Sequence, residues 1–534
     1  MNKINLIFHA HLPYVRHLEY PKFLEENWLF ESLNESYIPL LRVLNELKDE
    51  GVKYKLSICF TPTLLTMLTD VPLQERFVNY MNLRIELGEK EVERTKTEDT
   101  ECHYMAEHYL AECKRNLELY ESLERNILTA FKELSDEGYI ELVASAATHA
   151  YLPIYKEYPN AIEAQVAMGM RTHERIFGEK AKGFWLPECG YYPGLDEVIK
   201  RNGASWCQLA SQSVITSKDK SVYGGYRPIE LPSTLNAFVR DWNITNLIWS
   251  STSGYPCDSD YREFYRDIGY YLPLEYVRPY IHEPDVRVFT GYKYYAISGK
   301  RDEKYFYDMD KALSKVSLHV ENFMYHIRRN SLMLNTMGIK DPTYNLCFDA
   351  ELFGHRWYEG IDFLKKFFRS ASRSEDFELT TPSSVLKENG KVEKLRPNET
   401  SWGFGGGADT WLDGSNAWIY RHVFKAIERM EELTHRFPEQ GSLKGRFLNQ
   451  ASREVLLAMA SDWPCIMHDN TSVSYAKKRI ENHIGSFNVV YSSMCKNTVN
   501  TEWLIKSENR NAIFPDIDYN LFDSEKLDLD KNNG

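Results

Sequence analysis

Two acidic residues, Glu188 and Asp349, stand directly after short apolar runs in this sequence. The run at 183–186 ends at Pro187 and is followed by Glu188, and the run at 344–348 is followed by Asp349. An apolar run that stops at a proline or at polar residues predicts a buried strand ending in a turn. In β/α enzymes, catalytic side chains lie at the carboxyl ends of such strands. The pair therefore has the position of two catalytic carboxylates.

Two carboxyl groups that face each other across a cleft can cleave a glycosidic bond. One attacks or stabilises the anomeric carbon, and the other is kept protonated to release the leaving oxygen. Trp185 and Tyr191 flank Glu188, and aromatic walls favour a sugar ring. Two other interpretations stay open. Each acid could cap the helix that follows it, and Glu351 competes with Asp349 for the second role.

Three histidines follow predicted strands in the same way. His9 and His11 come after the apolar run at 4–8, and His149 follows the run at 139–144. A His-x-His pair at this point fits a zinc-dependent hydrolase, with His149 as the third ligand. However, no obvious lysine or later histidine–aspartate set completes such a site. Histidines at the mouth of a barrel serve equally well as hydrogen-bond donors to sugar hydroxyls, and we expect no metal.

Further candidate residues lie in the last quarter of the chain. Trp402 and Trp411 flank a glycine-rich stretch at 403–407, which could form a platform for sugar stacking or a packed loop between domains. The glycines lack the helix start of a phosphate-binding loop. Asp462 stands at a predicted helix end, where it could bind sugar hydroxyls or only cap the helix.

The apolar pattern predicts the elements that position these residues. The strand candidates are residues 4–8, 54–60, 139–144, 183–186, 204–209, 247–250 and 344–348. Polar or aromatic clusters recur at the carboxyl ends of several strands, which favours an α/β fold with a distorted or incomplete β/α barrel. The charge-rich segment 72–136 is too long for a simple connection and reads as a helical insertion.

The domain boundaries follow from this pattern. We expect a catalytic barrel at 1–400, which includes the insertion at 72–136. From about 415 the sequence reads as helical, so 401–513 is predicted to be a C-terminal α-helical domain that contributes to the cleft. The acidic tail at 514–534 is predicted to be an exposed arm.

Composition narrows the class of partner. The net charge is −13 over 534 residues, which argues against nucleic acid or an anionic membrane as the main partner and suits a neutral substrate. The nine cysteines are scattered, so neither a zinc cluster nor a disulfide framework is indicated. No apolar run approaches the length of a membrane span. These features predict a cytoplasmic protein.

The motifs taken together resemble those of glycoside hydrolase family 57. The matching segments, in order, are FHAHLPY (8–14), ATH (147–149), WLPEC (185–189) and DAELFGH (349–355). Three more look like the 1,4-α-glucan branching enzymes of that family: GYP (254–256), YREFYRD (261–267) and SDWP (461–464). The resemblance covers nearly the whole chain in the right order.

This resemblance implies an incomplete (β/α)7 barrel and a retaining mechanism without metal or cofactor. Glu188 would be the nucleophile and Asp349 the general acid/base. The substrate-binding residues that it implies are His9, His11, His149, Trp185, Tyr255, Trp402, Trp411 and Asp462. A tyrosine-tipped loop over the cleft helps to separate branching from hydrolysis in the family, and Tyr223 and Tyr226 are the candidates here.

The implied activity is branching, in which an α-1,4-glucan is cut and the segment is rejoined through O6 as an α-1,6 branch. The expected partner is an α-1,4-glucan, and the expected state is a monomer or weak homo-oligomer. The alternatives are an α-amylase or 4-α-glucanotransferase on the same scaffold, a metal-dependent hydrolase, or an inactive glucan-binding protein. Arg356, Phe404 and Cys257 depart from the family pattern and put the ratio of transfer to hydrolysis in doubt.

Overall fold

A curled, mostly parallel sheet forms the centre of the molecule. The computed structural model describes residues 1–299, 303–388, 392–438 and 441–523. The strands are β1 (Asn2–Ala10), β2 (Leu56–Phe60), β3 (Ile140–Ser145), β4 (Gly183–Trp185), β5 (Trp206–Leu209), β6 (Ile229–Glu230), β7 (Asn236–Val239), β8 (Thr343–Asp349), β9 (Phe377–Thr380) and β10 (Glu393–Lys394).

Seven of these strands follow one another around a barrel. The sheet order runs β7-β5-β4-β3-β2-β1-β8 with parallel pairing throughout. The ring closes through a parallel bridge between Arg240 and Asn345, where the Asp241 amide donates to the Asn345 carbonyl at 2.9 Å. β6 pairs antiparallel with β7 outside this ring. The predicted distorted (β/α)7 barrel is confirmed.

Buried strands place the candidate residues at one mouth of the barrel. Residues 4–10 of β1 are all buried, and burial along the whole length of a strand is typical of a parallel strand covered on both faces. Along β1 and β8 the register pairs His9 with Asp349. Because carboxyl ends of parallel strands share one edge, both side chains emerge at the same rim.

One predicted strand is wrong. Residues 247–249 belong to α10 (Trp242–Trp249), Ser250 is the C-cap of that helix, and the neighbouring strand is instead β7. The Asp241 side chain caps α10 by accepting from the Ile244 amide at 2.7 Å, and such a cap stabilises the start of a helix. The apolar residues at 247–249 are therefore one side of a helix rather than a strand.

Helices cover the sheet and build two further regions. The barrel helices are α1 (Glu26–Ser32), α2 (Ile38–Asp49), α3 (Pro62–Leu68), α7 (Pro159–Phe177), α8 (Leu195–Arg201), α9 (Ser211–Ile215), α10 (Trp242–Trp249), α11 (Ile268–Tyr271), α12 (Leu274–Val277), α13 (Met309–Thr336), α14 (Gly360–Ser372) and α15 (Pro382–Glu388). The predicted helical insertion comprises α4 (Val71–Thr95), α5 (His103–Ser122) and α6 (Ile127–Asp136).

The C-terminal region is helical, as predicted. Its helices are α16 (Tyr420–Arg436), α17 (Ser442–Ala458), α18 (Asp462–His468), α19 (Val473–Lys496) and α20 (Thr501–Arg510). The prediction of an exposed arm from 514 is wrong for residues 514–523. Phe514 and Phe522 are fully buried, because apolar residues among the aspartates pack onto the helices. The rest of that tail lies outside the described residues. Across the described ranges, no helix has both the length and the hydrophobicity needed to cross a bilayer.

Candidate active site

Glu188 lies on a tight turn that directly follows β4. The turn spans Pro187–Cys189 as a short 3₁₀ helix, and Glu188 has φ of 59° and ψ of 20°. This left-handed conformation is strained for a residue with a side chain, and such strain clusters at functional sites. The Glu188 carbonyl accepts from the Trp402 amide at 2.9 Å, which ties the turn to the glycine-rich segment.

Both carboxylate oxygens of Glu188 accept a hydrogen bond. The indole Nε1 of Trp402 donates to Oε2 at 2.8 Å, and Ser461 Oγ donates to Oε1 at 3.0 Å. Burial raises the pKa of Glu188 to about 7, against the effect of these two donors. The negative charge of Asp349 also raises this pKa, which identifies the two carboxyl groups as members of one site.

Asp349 ends β8 and faces a more open part of the mouth. Its side chain is 37% exposed, compared with 13% for Glu188. Oδ1 of Asp349 lies 3.0 Å from Nδ1 of His9. Glu188 is therefore the more buried of the two carboxylates, and Asp349 is partly solvated.

Three histidine rings stack beside the carboxylates. The rings of His11 and His149 are 4.0 Å apart between centroids, and those of His9 and His149 are 4.7 Å apart. Trp185 is fully buried and lies parallel to His9, at 4.7 Å and an interplanar angle of 7°. Trp185 thus supports the histidine stack from within the barrel.

The histidines differ in their hydrogen-bond partners. His11 bonds to Thr61 Oγ1 through Nδ1 and to Asp462 Oδ1 through Nε2, both at 2.9 Å. His149 Nδ1 lies 2.9 Å from Ser461 Oγ. Among the described residues, the Nε2 atoms of His9 and His149 are buried without a hydrogen-bond partner.

The surroundings of the three histidines also shift their pKa values in different directions. Burial lowers the pKa of His9 despite the nearby Asp349, and it lowers the pKa of His149 well below its ordinary value. Burial opposes the charged form of His11 as well, but the charge and hydrogen bond of Asp462 outweigh it and raise the His11 pKa. The site therefore combines neutral imidazoles with one that holds its proton more readily.

The three histidine rings lie nearly parallel to one another, with interplanar angles of 22–26°. In the described parts of the chain, no group of three or more His, Cys, Asp or Glu residues is arranged to hold a metal ion.

Glu351, the competing acid, has a supporting position. Its Oε1 accepts from the His11 amide at 3.0 Å and from the Tyr37 hydroxyl. Burial raises the pKa of Glu351 to about 7, and the charge of Asp349 adds to this. Because its carboxylate is bonded to the backbone of His11, Glu351 helps to orient that segment.

Three residues that shape the site were not predicted from the sequence. Trp249 lies 5.6 Å from Trp402 between ring centroids, and the buried guanidinium of Arg240 lies 5.2 Å and 5.4 Å from these two rings. Ser461 bonds to Glu188. Ser461 stands in the SDWP segment, where only Asp462 was singled out, and Trp249 was assigned to a strand that does not exist.

Three predicted substrate residues are packed in the interior instead: the fully buried Trp185, together with Trp411 and Tyr255. Trp411 is 2% exposed, and its ring stacks on Tyr151 at 4.4 Å. Tyr255 is 8% exposed and stacks on His319 at 4.3 Å, while its hydroxyl donates to Asn322 at 2.6 Å. Neither ring presents a face to the cleft, because neighbouring helices and loops cover it.

The two candidate loop tyrosines also lie elsewhere. The Tyr226 carbonyl accepts from the Thr343 amide at 2.8 Å, at the start of β8, whereas Asp349 ends that strand. Six residues of strand span about 20 Å. Tyr223 is in the same turn, since its carbonyl accepts from the Tyr226 amide at 3.0 Å. The prediction that these tyrosines cover the cleft is therefore corrected.

The three departures from the family pattern leave the carboxylates untouched. Arg356 is exposed, with its guanidinium 5.4 Å from the ring of Phe264. Phe404 is 95% exposed at the tip of the glycine-rich loop. Cys257 is partly buried, with its Sγ 3.6 Å from the Ser250 carbonyl.

The comparisons with known proteins agree with this geometry. The family model described as glycosyl hydrolase family 57 matches residues 5–399. A second model, described as 1,4-α-glucan branching enzyme, C-terminal, matches residues 422–522. The 1,4-α-glucan branching enzyme TK1436 of Thermococcus kodakarensis is 30% identical over 519 residues, which are 91% of this chain and 72% of that relative.

Solved structures are similar over the full chain. The α-amylase AmyC of Thermotoga maritima is 40% identical with a TM-score of 0.92, over 98% of this chain and 99% of AmyC. The branching enzyme of Pyrococcus horikoshii is 30% identical with a TM-score of 0.87, over 98% and 96% of the two chains. The candidate active site lies at the mouth of an incomplete barrel, and the family model matches most of the length of the chain. The chain therefore belongs to glycosyl hydrolase family 57.

Proposed function

We propose that this chain is a 1,4-α-glucan branching enzyme, with Glu188 as nucleophile and Asp349 as general acid/base. One observation carries the proposal. Ser461 and Asp462 reach the nucleophile and His11 from the region that matches the branching-enzyme C-terminal model. That region is therefore part of the active site rather than an appendage.

In the first step, the Glu188 carboxylate attacks the anomeric carbon of an α-1,4-linked glucose unit. The glycosidic bond breaks, and the leaving O4 oxygen takes a proton from the carboxyl group of Asp349. The product is a β-linked glycosyl-enzyme ester. Donors on both oxygens of Glu188 keep the carboxylate oriented, while burial raises its basicity and hence its nucleophilicity.

In the second step, an acceptor hydroxyl replaces the leaving group. The Asp349 carboxylate takes the proton of a glucan O6 hydroxyl, and that oxygen attacks the anomeric carbon as the bond to Glu188 breaks. Two inversions restore the α configuration. The new bond is an α-1,6 branch, and both carboxyl groups return to their starting protonation states.

Transfer to a glucan predominates over hydrolysis when water is kept away from the glycosyl-enzyme ester. Trp402 donates a hydrogen bond to Glu188 and packs against Trp185 and Trp249, and the Glu188 side chain is only 13% exposed. Such surroundings exclude bulk water and strengthen the polar contacts within the site. A bound glucan chain then supplies the nearest hydroxyl.

Hydrolysis is the second candidate function, and two observations favour it. The similar full-length structure of AmyC is that of an α-amylase. In addition, Tyr223 and Tyr226 lie away from the cleft, so that the residues expected to hinder water do not cover it.

The test is incubation with amylose, following reducing ends and α-1,6 linkages together. Branching predicts new α-1,6 linkages with few new reducing ends, and the loss of both signals in Glu188→Gln and Asp349→Asn. Reducing ends without α-1,6 linkages would establish an amylase instead. No change in the amylose would contradict both candidates and favour a glucan-binding protein.

A further inference from the structure

The long helix α13 has an exposed apolar stripe along its outer side. Leu318, Tyr325 and Leu332 are 58%, 55% and 68% exposed. They stand seven residues apart, and residues seven apart lie on the same side of an α-helix. The opposite side of α13 is buried through Val320, Phe323 and Ile327. The stripe is therefore a second apolar surface on a helix that already has its core contact.

Charged residues flank this stripe in a symmetric way. Glu321 precedes Tyr325 by four residues and Arg329 follows it by four, and both are exposed. In the described residues neither forms an ion pair, although many neighbouring charges do. The adjacent Arg328, for example, pairs with Asp376 at 2.7 Å. Two opposite charges at equal distances from a central aromatic residue are thus left without partners.

We propose that α13 is the contact through which two copies of this chain associate. A two-fold axis at Tyr325 pairs the helices antiparallel, so that residues equally far from Tyr325 on opposite sides come to the same height. Leu318 of one copy meets Leu332 of the other, and the two Tyr325 rings meet at the centre. Glu321 lies level with Arg329 of the second copy, and the converse pair forms at the other end.

This symmetry identifies the binding partner of the apolar stripe as a second copy of the same chain. The stripe is complementary to itself in both shape and charge, since leucine opposes leucine and glutamate opposes arginine. An unrelated partner would not require residues balanced about one point of the helix. A single pair of helices buries less than the ~800 Å² per partner of a standard interface. We therefore expect a weak dimer that forms in the micromolar range.

The test uses full-length protein in sedimentation velocity runs over a range of concentrations. Glu321→Arg and Arg329→Glu each place like charges together at both ends of the helix pair, so each should raise the dimer dissociation constant about tenfold or more. The double variant restores opposite charges and should recover dimer formation. All three should keep wild-type activity and unfolding temperature, because these side chains are exposed and remote from the carboxylates.

Three results would overturn the proposal. The first is a wild-type protein that stays monomeric up to the highest soluble concentration. The second is a dimer that neither single reversal weakens, and the third is a double variant that does not recover dimer formation. Tyr325→Glu provides an independent check, because it puts two carboxylates at the centre of the contact and should abolish the dimer. A dimer that survives this change would also contradict the proposal.

Discussion

Ser461 Oγ lies 3.0 Å from Oε1 of Glu188, although 273 positions separate the two residues in the sequence. The same hydroxyl lies 2.9 Å from Nδ1 of His149. Ser461 stands at the start of α18 in the C-terminal helical region, whereas Glu188 belongs to the barrel. The protonation of the proposed nucleophile therefore depends on a residue from a different part of the fold.

Replacing Ser461 should move the pH profile. Ser461→Ala removes a donor that stabilises the carboxylate, so the pKa of Glu188 should rise further above its value of about 7. A hydrogen bond to a charged group is worth roughly 1.5–3 kcal/mol, which corresponds to a shift of about one pH unit or more. The acidic limb of kcat/KM should move upward by that amount. Ser461→Thr keeps the hydroxyl and should leave the limb in place; equal profiles for both variants would argue against this role.

Replacing Glu188 should stabilise the protein at high pH. Burial raises the pKa of Glu188 from 4.5 to about 7, so the stability gained from its neutral form is present below pH 4.5 and lost as the pH rises through 7. This loss is on the order of 3 kcal/mol. Glu188→Gln stays neutral, and its unfolding temperature should exceed that of wild type more at pH 8 than at pH 4.5. The exposed Glu157→Gln is the control and should show no such difference.

Replacing Asp462 should destabilise the charged form of His11. The Asp462 carboxylate raises the pKa of His11 against the effect of burial, so Asp462→Asn should lower this pKa. We expect kcat/KM on amylose at neutral pH to fall about tenfold or more, since a buried polar contact of the site is lost. Asp469→Asn, on an exposed residue just beyond the same helix, should have wild-type kinetics. Wild-type kinetics for Asp462→Asn would show that this contact is dispensable.

Substitutions of Trp411 and Trp402, which lie in one loop region, should have different effects on stability and activity. Trp411→Ala removes a buried ring and should destabilise the protein by about 3–5 kcal/mol. Trp402→Phe keeps an aromatic ring but removes the Nε1 donor to Glu188, so it should lower kcat with little change in unfolding temperature. Thermal unfolding and amylose kinetics of both variants separate the two effects. A large loss of stability in Trp402→Phe would contradict the assignment.

Tyr226 should not affect the balance between transfer and hydrolysis. Its backbone is fixed at the start of β8, and its hydroxyl accepts from Asn330 Nδ2 at 3.1 Å. Tyr226→Phe should therefore keep the wild-type ratio of α-1,6 linkages to reducing ends on amylose. A ratio shifted several-fold toward hydrolysis would contradict this prediction and indicate that Tyr226 acts at the cleft.

The positions of Glu188, Asp349 and the three histidines were predictable because local sequence decides them. Each follows an apolar run that forms a parallel strand, and the carboxyl ends of parallel strands meet at one edge. The curled sheet and the helical regions were predictable from the same periodicity. These features depend on short segments and on the general geometry of the fold.

What the sequence did not predict depends on contacts between distant segments. Trp411 is predicted as part of an exposed platform beside glycines, and the family resemblance implies that Tyr255 binds substrate, yet the packing of other segments buries both. The strand predicted at 247–250 is a helix because the cap at Asp241 outweighs a short apolar run. Ser461 stands in the SDWP segment, but its contact with Glu188 had no local signal, since Glu188 comes from another part of the chain.

The most direct test of the central claim is azide rescue with α-maltosyl fluoride, a substrate whose leaving group needs no proton. In Glu188→Ala, azide enters the space of the nucleophile and should give the β-maltosyl azide. In Asp349→Ala, the glycosyl-enzyme still forms on Glu188, and azide should then displace it to give the α-maltosyl azide. These two products together would establish Glu188 as nucleophile and Asp349 as acid/base. The α product from Glu188→Ala, or the β product from Asp349→Ala, would contradict the account.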